Sequence, residues 1–137
     1  MPQGREGQIV TFYSFKGGTG RTMALANVAW LLASSGRRVL AVDWDLESPG
    51  LPRYFNPFLS ADAVRDAPGV IDLIREFDTE AARRRKRGAK FDELAAYARV
   101  KPYALALNWD FPDGGGLDFM SSGRQNMEYA TTIGSLG

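Results

Sequence analysis

Residues 8 to 45 read Gln8-Ile-Val-Thr-Phe-Tyr-Ser-Phe15, then Lys16-Gly-Gly-Thr-Gly-Arg-Thr22, then Met23-Ala-Leu-Ala-Asn-Val-Ala-Trp-Leu-Leu-Ala-Ser-Ser-Gly36, then Arg37-Arg-Val-Leu-Ala-Val-Asp-Trp-Asp45. The first piece is β-branched and aromatic throughout and stops at a run of glycines, which predicts a strand entering a tight loop. From Thr22 to Ser35 the chain is apolar almost without interruption, and Gly36 supplies the residue that ends helices, so a buried helix is expected there. It is too short to span a bilayer, which takes about twenty residues. Arg38 to Trp44 is a continuous apolar run closed by acid, the pattern of a parallel strand covered on both faces. Residues 8–45 therefore predict one right-handed βαβ unit, with the first and last pieces as neighbouring parallel strands.

The order weakens beyond Leu46. Residues 46–103 read as loops and short helices, with helical spacing over Val70 to Phe77 and Phe91 to Val100. Ala104 to Trp109 and Leu117 to Ser121 read as two further strands, joined by the turn-rich segment Asp110 to Gly116. The fold class expected is α/β, a doubly wound and mostly parallel sheet. Four strands are few for that architecture, so residues 1–137 are expected to be the N-terminal part of a single domain. Its C-terminal remainder would be a further segment or another polypeptide.

Composition narrows the chemistry. The 137 residues carry 17 basic and 16 acidic side chains and no histidine or cysteine. Disulfides, thiolate metal sites, cysteine nucleophiles and histidine triads are thereby excluded. The polar N-terminus carries no secretory signal pattern, and a cytoplasmic, non-inserted protein is expected. Arg83 to Arg87 with Lys90 form a basic run. Its plain reading is a solvated helix end; as a nucleic-acid contact it lacks the interleaved aromatic residues that stack on bases.

The glycine loop lies where a strand meets a helix, the place at which backbone N–H groups and the positive helix end converge on an anion. Gly17, Gly18 and Gly20, with Thr19 among them, would let a phosphate lie against the main chain. Arg21 would neutralise its charge, Thr22 would offer a hydroxyl to Mg²⁺, and Met23 would close the cradle. Asp43 and Asp45 fall on one side of the extended chain at the carboxyl end of the sheet, and hard oxygen donors of this kind suit Mg²⁺. A dinucleotide-binding Rossmann unit would use Gly18, Gly20 and Asp43 similarly, but its third glycine would fall on Met23. Singly, Lys16 is also readable as an exposed loop charge, and Asp43 as a cap on the segment that follows.

Taken together, Lys16-Gly-Gly-Thr-Gly-Arg-Thr22 and Val39-Leu-Ala-Val-Asp-Trp-Asp45 resemble the deviant Walker A ATPases, which include the ParA and MinD partitioning proteins, the arsenite-pump ATPase and nitrogenase iron protein. The loop is most similar to a bacterial subgroup with arginine in place of the final lysine. The resemblance covers residues 8 to 50. It implies ATP and Mg²⁺ as ligands and a homodimer formed on nucleotide binding. Lys16 would be the signature lysine that reaches the partner subunit's nucleotide, Gly17 to Arg21 would wrap the phosphates, and Thr22 would bind Mg²⁺. Asp43 would hold a water of the Mg²⁺ shell and Asp45 the attacking water. The family's later switch segment has no convincing match before Gly137. Arg21, a wider planar fork than lysine, is expected to keep binding while lowering the rate, so a nucleotide-binding scaffold with little turnover stands beside the ATPase reading.

Overall fold

The computed structural model describes residues 7–88 and 99–124. The first regular element is α1 (Arg21–Ser34), followed by β1 (Arg38–Val42). Two short helices, α2 (Pro52–Phe55) and α3 (Ala61–Asp66), lead into the longer α4 (Val70–Arg85). The strands β2 (Leu105–Ala106) and β3 (Gly116–Met120) complete a three-stranded sheet of order β1-β3-β2. β1 and β3 run parallel, with Val39 opposite Leu117 and Val42 opposite Met120. β2 joins the other edge of β3 in the antiparallel sense.

Side-chain alternation divides the sheet into two faces. On one, Ala41 of β1 and Leu117 and Phe119 of β3 are buried beneath α1 and the segment Leu51 to Leu59. On the other, Met120, with Val42 beside it, packs on Val70, Leu73 and Ile74 of α4 and on Tyr103. Helices therefore cover both faces, as a doubly wound α/β arrangement requires. α1 approaches the sheet through Ala26, Ala29 and Ala33, small residues that let the helix lie close.

Three expectations need correction. Residues 8–14 form no strand and do not neighbour β1, whose parallel partner is β3. β1 pairs through one edge only, with β3, and the 8–15 segment does not take its other edge: it lies mostly in the open, with Ile9 96% exposed, so no backbone ladder forms to hold it extended. α1 is buried on its alanine stripe alone, since Met23 and Leu31 face outward and Leu31 is 67% exposed. β1 is covered on one face along its length but on the α4 face only at its C-terminal end, which leaves Leu40 41% exposed.

Other expectations stand with adjusted bounds. α1 ends at Ser34, with Gly36 in the left-handed region that the sequence assigns it. α4 runs eight residues past Phe77, so Arg83 to Arg85 form its last turn. There Glu80 accepts from Arg83 and from Arg84, each at 2.7 Å, and this pairing, Arg83 first, holds the Glu80 carboxyl down at about 2. Arg83 to Arg85 are thus the partly self-neutralised last turn of a helix, and Lys90 lies outside the described residues. The helix expected over Phe91 to Val100 falls largely, and the Thr131 to Gly137 tail wholly, outside the described residues.

Tyr103 gives this face of the core a measurable signature. Its hydroxyl donates to the Glu76 carboxylate across the base of α4. Burial first, and then Glu76, push the phenol up from 10.0 to about 12. Between those values an unfolded chain has released the proton that the folded chain still holds, so stability falls as pH rises through the window. Tyr103→Phe is expected to cost about 1 kcal/mol at neutral pH and to flatten the alkaline loss between roughly pH 10 and 12. Urea titrations at a series of pH values, wild type against variant, check both effects.

Candidate functional site

The parallel strands β1 and β3 both end on the side of the sheet from which α1 begins. Glycine at positive φ makes the turn into α1: Gly18 has φ 73° and Gly20 φ 80°, a conformation that costs an L residue about 1–2 kcal/mol. Gly20 is the N-cap and, having no side chain, leaves the first-turn amides of α1 without a side-chain acceptor. Its carbonyl accepts from Ala24 at 2.9 Å, which starts the helical ladder. The first turn carries no acidic residue, so the positive end of the helix dipole stays uncompensated there. Residues 16–20 are exposed throughout, and nothing lies within 4 Å of the position that a Cβ would take on Gly17 or Gly18. The loop therefore presents bare main chain at the start of a helix.

Arg21 and Thr22 follow in the first turn of α1. The Arg21 guanidinium donates to Asp45 Oδ2 at 3.0 Å and to Ser14 Oγ at 3.3 Å. Ser14 in turn donates to the Lys16 carbonyl at 3.0 Å, so the segment before the loop is tied to its first residue. Thr22 faces the loop after β1: a Cβ on Gly50 would meet its Cγ2 at 3.4 Å and its Oγ1 at 3.5 Å. Lys16 is exposed and forms no ion pair with a described residue.

Asp43 continues the β1 ladder by donating its own N–H to the Met120 carbonyl at 2.9 Å. Its carboxylate is buried and accepts from the Asp45 amide at 3.2 Å and from the Leu51 amide at 3.0 Å. Burial raises its pKa above the ordinary carboxylate value, opposed in part by those amides. Asp43 thus fixes the turn from β1 to α2, as its structural reading foresaw. Asp45 stands further out, with Oδ1 accepting from Ser48 at 3.0 Å and Oδ2 from Arg21.

The structure thus brings Arg21, Thr22, Asp43 and Asp45 to one end of the sheet beside the glycine loop. Ser14 and Gly50 were missed from the sequence. For Ser14 the available signal was a small hydroxyl two residues before the glycine loop; Gly50 gave none, because its role depends on how the loop returns to α1. Among the described residues, no three acidic side chains gather into a metal cage. The hard oxygens available, the Thr22 hydroxyl and the Asp43 and Asp45 carboxylates, fit a cation that keeps most of its water and takes few protein ligands, which is the habit of Mg²⁺. No helix among the described residues is long and apolar enough to cross a membrane.

Comparison with known proteins agrees with this geometry. An uncharacterized ATP-binding protein of Methanocaldococcus jannaschii is 41% identical over 70 residues, which cover 49% of this chain and 27% of that protein. A cytosolic Fe-S cluster assembly factor of Phaeosphaeria nodorum is 32% identical over 99 residues, covering 70% of this chain and 32% of the relative. Protein virC1 of Rhizobium rhizogenes is 50% identical over 42 residues, 31% of this chain and 18% of its own length. The chain thus spans less than a third of each of these relatives. No solved structure matches it significantly. The profile of the CobQ/CobB/MinD/ParA nucleotide binding domain matches residues 10–122, a span that holds the glycine loop, α1, β1 and β3 together. The chain therefore belongs to the CobQ/CobB/MinD/ParA nucleotide-binding domain family, with its P-loop NTPase fold.

Proposed function

We propose that the chain binds ATP with Mg²⁺ and acts as a ParA/MinD-like switch that dimerises on nucleotide. The observation that carries this reading is the uncapped start of α1, with Gly18 and Gly20 at positive φ and with Arg21 and Thr22 in its first turn, set beside the Asp43 to Gly50 loop. Main-chain amides of residues 17–23 would receive the phosphate oxygens, and Arg21 would hold them through its planar fork, bidentately where a lysine offers a point charge. Thr22 would be the protein's direct ligand to Mg²⁺, with Asp43 holding a water of its shell. The cation would neutralise charge on the terminal phosphates. Asp45 would position the attacking water, and exposed Lys16 would reach the nucleotide of a second subunit. Arg83 and Arg84 are engaged by Glu80, so a nucleic-acid contact through Arg83 to Arg87 is the less favoured reading of the basic run.

A reading as a nucleotide-binding scaffold with little hydrolysis is favoured by one specific observation, the arginine in the last position of the loop. Transition-state stabilisation depends on charge placed to a fraction of an ångström, and a guanidinium does not occupy the place of an ammonium. Calorimetry with ATP, GTP and NAD, each with and without Mg²⁺, tests the binding claim. Mg²⁺-dependent heat with ATP is expected; tighter binding of NAD than of either triphosphate would overturn it. Phosphate release under the same conditions, together with sedimentation of wild type and Lys16→Ala, separates switch from scaffold. The switch reading expects ATP to drive dimers in the wild type and not in the variant.

A further inference from the structure

The side chain assigned above to a nucleotide's phosphates and the one assigned to the attacking water bind each other. Arg21 Nη2 lies 3.0 Å from Asp45 Oδ2, and the two side chains are 31% and 36% exposed, so the pair stands at the mouth of the site rather than within the core. Each member is held from a second direction. Ser14 Oγ accepts from the other guanidinium nitrogen, and the Ser48 amide donates to the other Asp45 oxygen. Arg21 reaches Asp45 across the sheet end from the first turn of α1, 24 residues away in sequence. A guanidinium is permanently charged, and phosphate oxygens and a carboxylate are alternative acceptors for the same fork.

We propose that the Arg21–Asp45 ion pair gates the glycine loop: a polyphosphate gains Arg21 only by displacing Asp45, and the same exchange frees Asp45 Oδ2 to accept from water. The inference rests on the nucleotide reading above and adds a regulatory step to it. An arginine is suited to this role because its fork can keep one nitrogen on Ser14 while the other changes partner. The gate sets a threshold on affinity, since every nucleotide bound has first replaced an existing contact. It also orders events, because the carboxylate assigned to the attacking water becomes available only after the phosphates have arrived.

The test is a four-way comparison of Mg²⁺-ATP affinity in wild type, Asp45→Asn, Arg21→Gln and the double variant, with circular dichroism confirming that each is folded. Asparagine keeps an oxygen for the Ser48 amide while removing the charge that binds Arg21. In the Arg21 background, Asp45→Asn is expected to tighten ATP by about two- to five-fold, the worth of a part-exposed ion pair. In the Arg21→Gln background the same substitution should change affinity by far less. Equal tightening in both backgrounds would mean simple repulsion between Asp45 and phosphate, and weaker binding in Asp45→Asn would mean that Asp45 pre-aims Arg21; either result overturns the gate while leaving nucleotide binding intact. Absence of ATP binding in all four proteins overturns the nucleotide reading and the gate with it.

Discussion

Gly18→Val is expected to weaken Mg²⁺-ATP binding by at least about 100-fold while the protein stays folded. Space on the two sides of the loop decides the effect. On the protein side, a Cβ at residue 18 meets nothing within 4 Å, so the folded chain pays only the strain of a side chain at φ 73°. That strain is about 1–2 kcal/mol at most, and an exposed loop can relax part of it. On the ligand side, a branched side chain stands where phosphate would lie against the main chain. Charged hydrogen bonds of about 1.5–3 kcal/mol each are then lost, and two of them amount to a hundredfold or more. Calorimetry reads the affinity, and thermal unfolding without ligand reads the stability. Unchanged affinity would show that the phosphates do not lie on this loop. A collapse in stability would show that the loop is structural rather than a cradle.

The legibility of that loop contrasts with what surrounds it. Gly18 and Gly20 announce themselves because few residues tolerate positive φ, and α1, β1 and β3 follow from apolar periodicity and from the closing Gly36. Gln8 to Phe15 shows as clear a strand pattern, yet it forms none. A strand pattern describes side chains and carries no information about whether a backbone edge will be joined, and here the segment stays in the open, with Ile9 and Phe15 exposed, and pairs with neither edge of the sheet. α4 outruns its predicted end for a complementary reason. The apolar spacing stops at Phe77, but Thr79 to Arg85 continue as helix on Glu80 pairing three and four residues ahead and on buried Ala81. Within the site, Asp43 and Asp45 were visible as an acidic pair and the cap at Asp43 as one of its readings, whereas the pairing of Asp45 with Arg21 was not. Asp43 is drawn into capping the turn by the Leu51 amide, and Asp45 is drawn to Arg21 by the way the loop folds back.

The packing that keeps these strand ends in place predicts the second large effect, at Gly69. This residue precedes α4, and a Cβ there would lie 2.3 Å from the Ser121 carbonyl oxygen and 2.5 Å from the Gly123 amide. The contact is backbone on both sides, so no side chain can swing away. It exists because the first amides of α4 are satisfied by the chain leaving β3: Val70 donates to Ser121 at 2.9 Å and Ile71 to Ser122 at 3.0 Å. The N–H of Gly69 meanwhile donates to Asp72 at 2.8 Å, which seals the turn. Gly69→Ala must push α4 off the end of β3, losing both of these backbone bonds and loosening Val70 and Met120, which are almost fully buried. Overpacking of about 1–3 kcal/mol and two lost hydrogen bonds of about 1 kcal/mol each give an expected destabilisation of roughly 3–5 kcal/mol. Chemical denaturation reads that loss directly, and amide exchange at Val70 and Ile71 locates it. A loss below about 1 kcal/mol, with those two amides still protected, would show that α4 does not depend on this close approach to the end of β3.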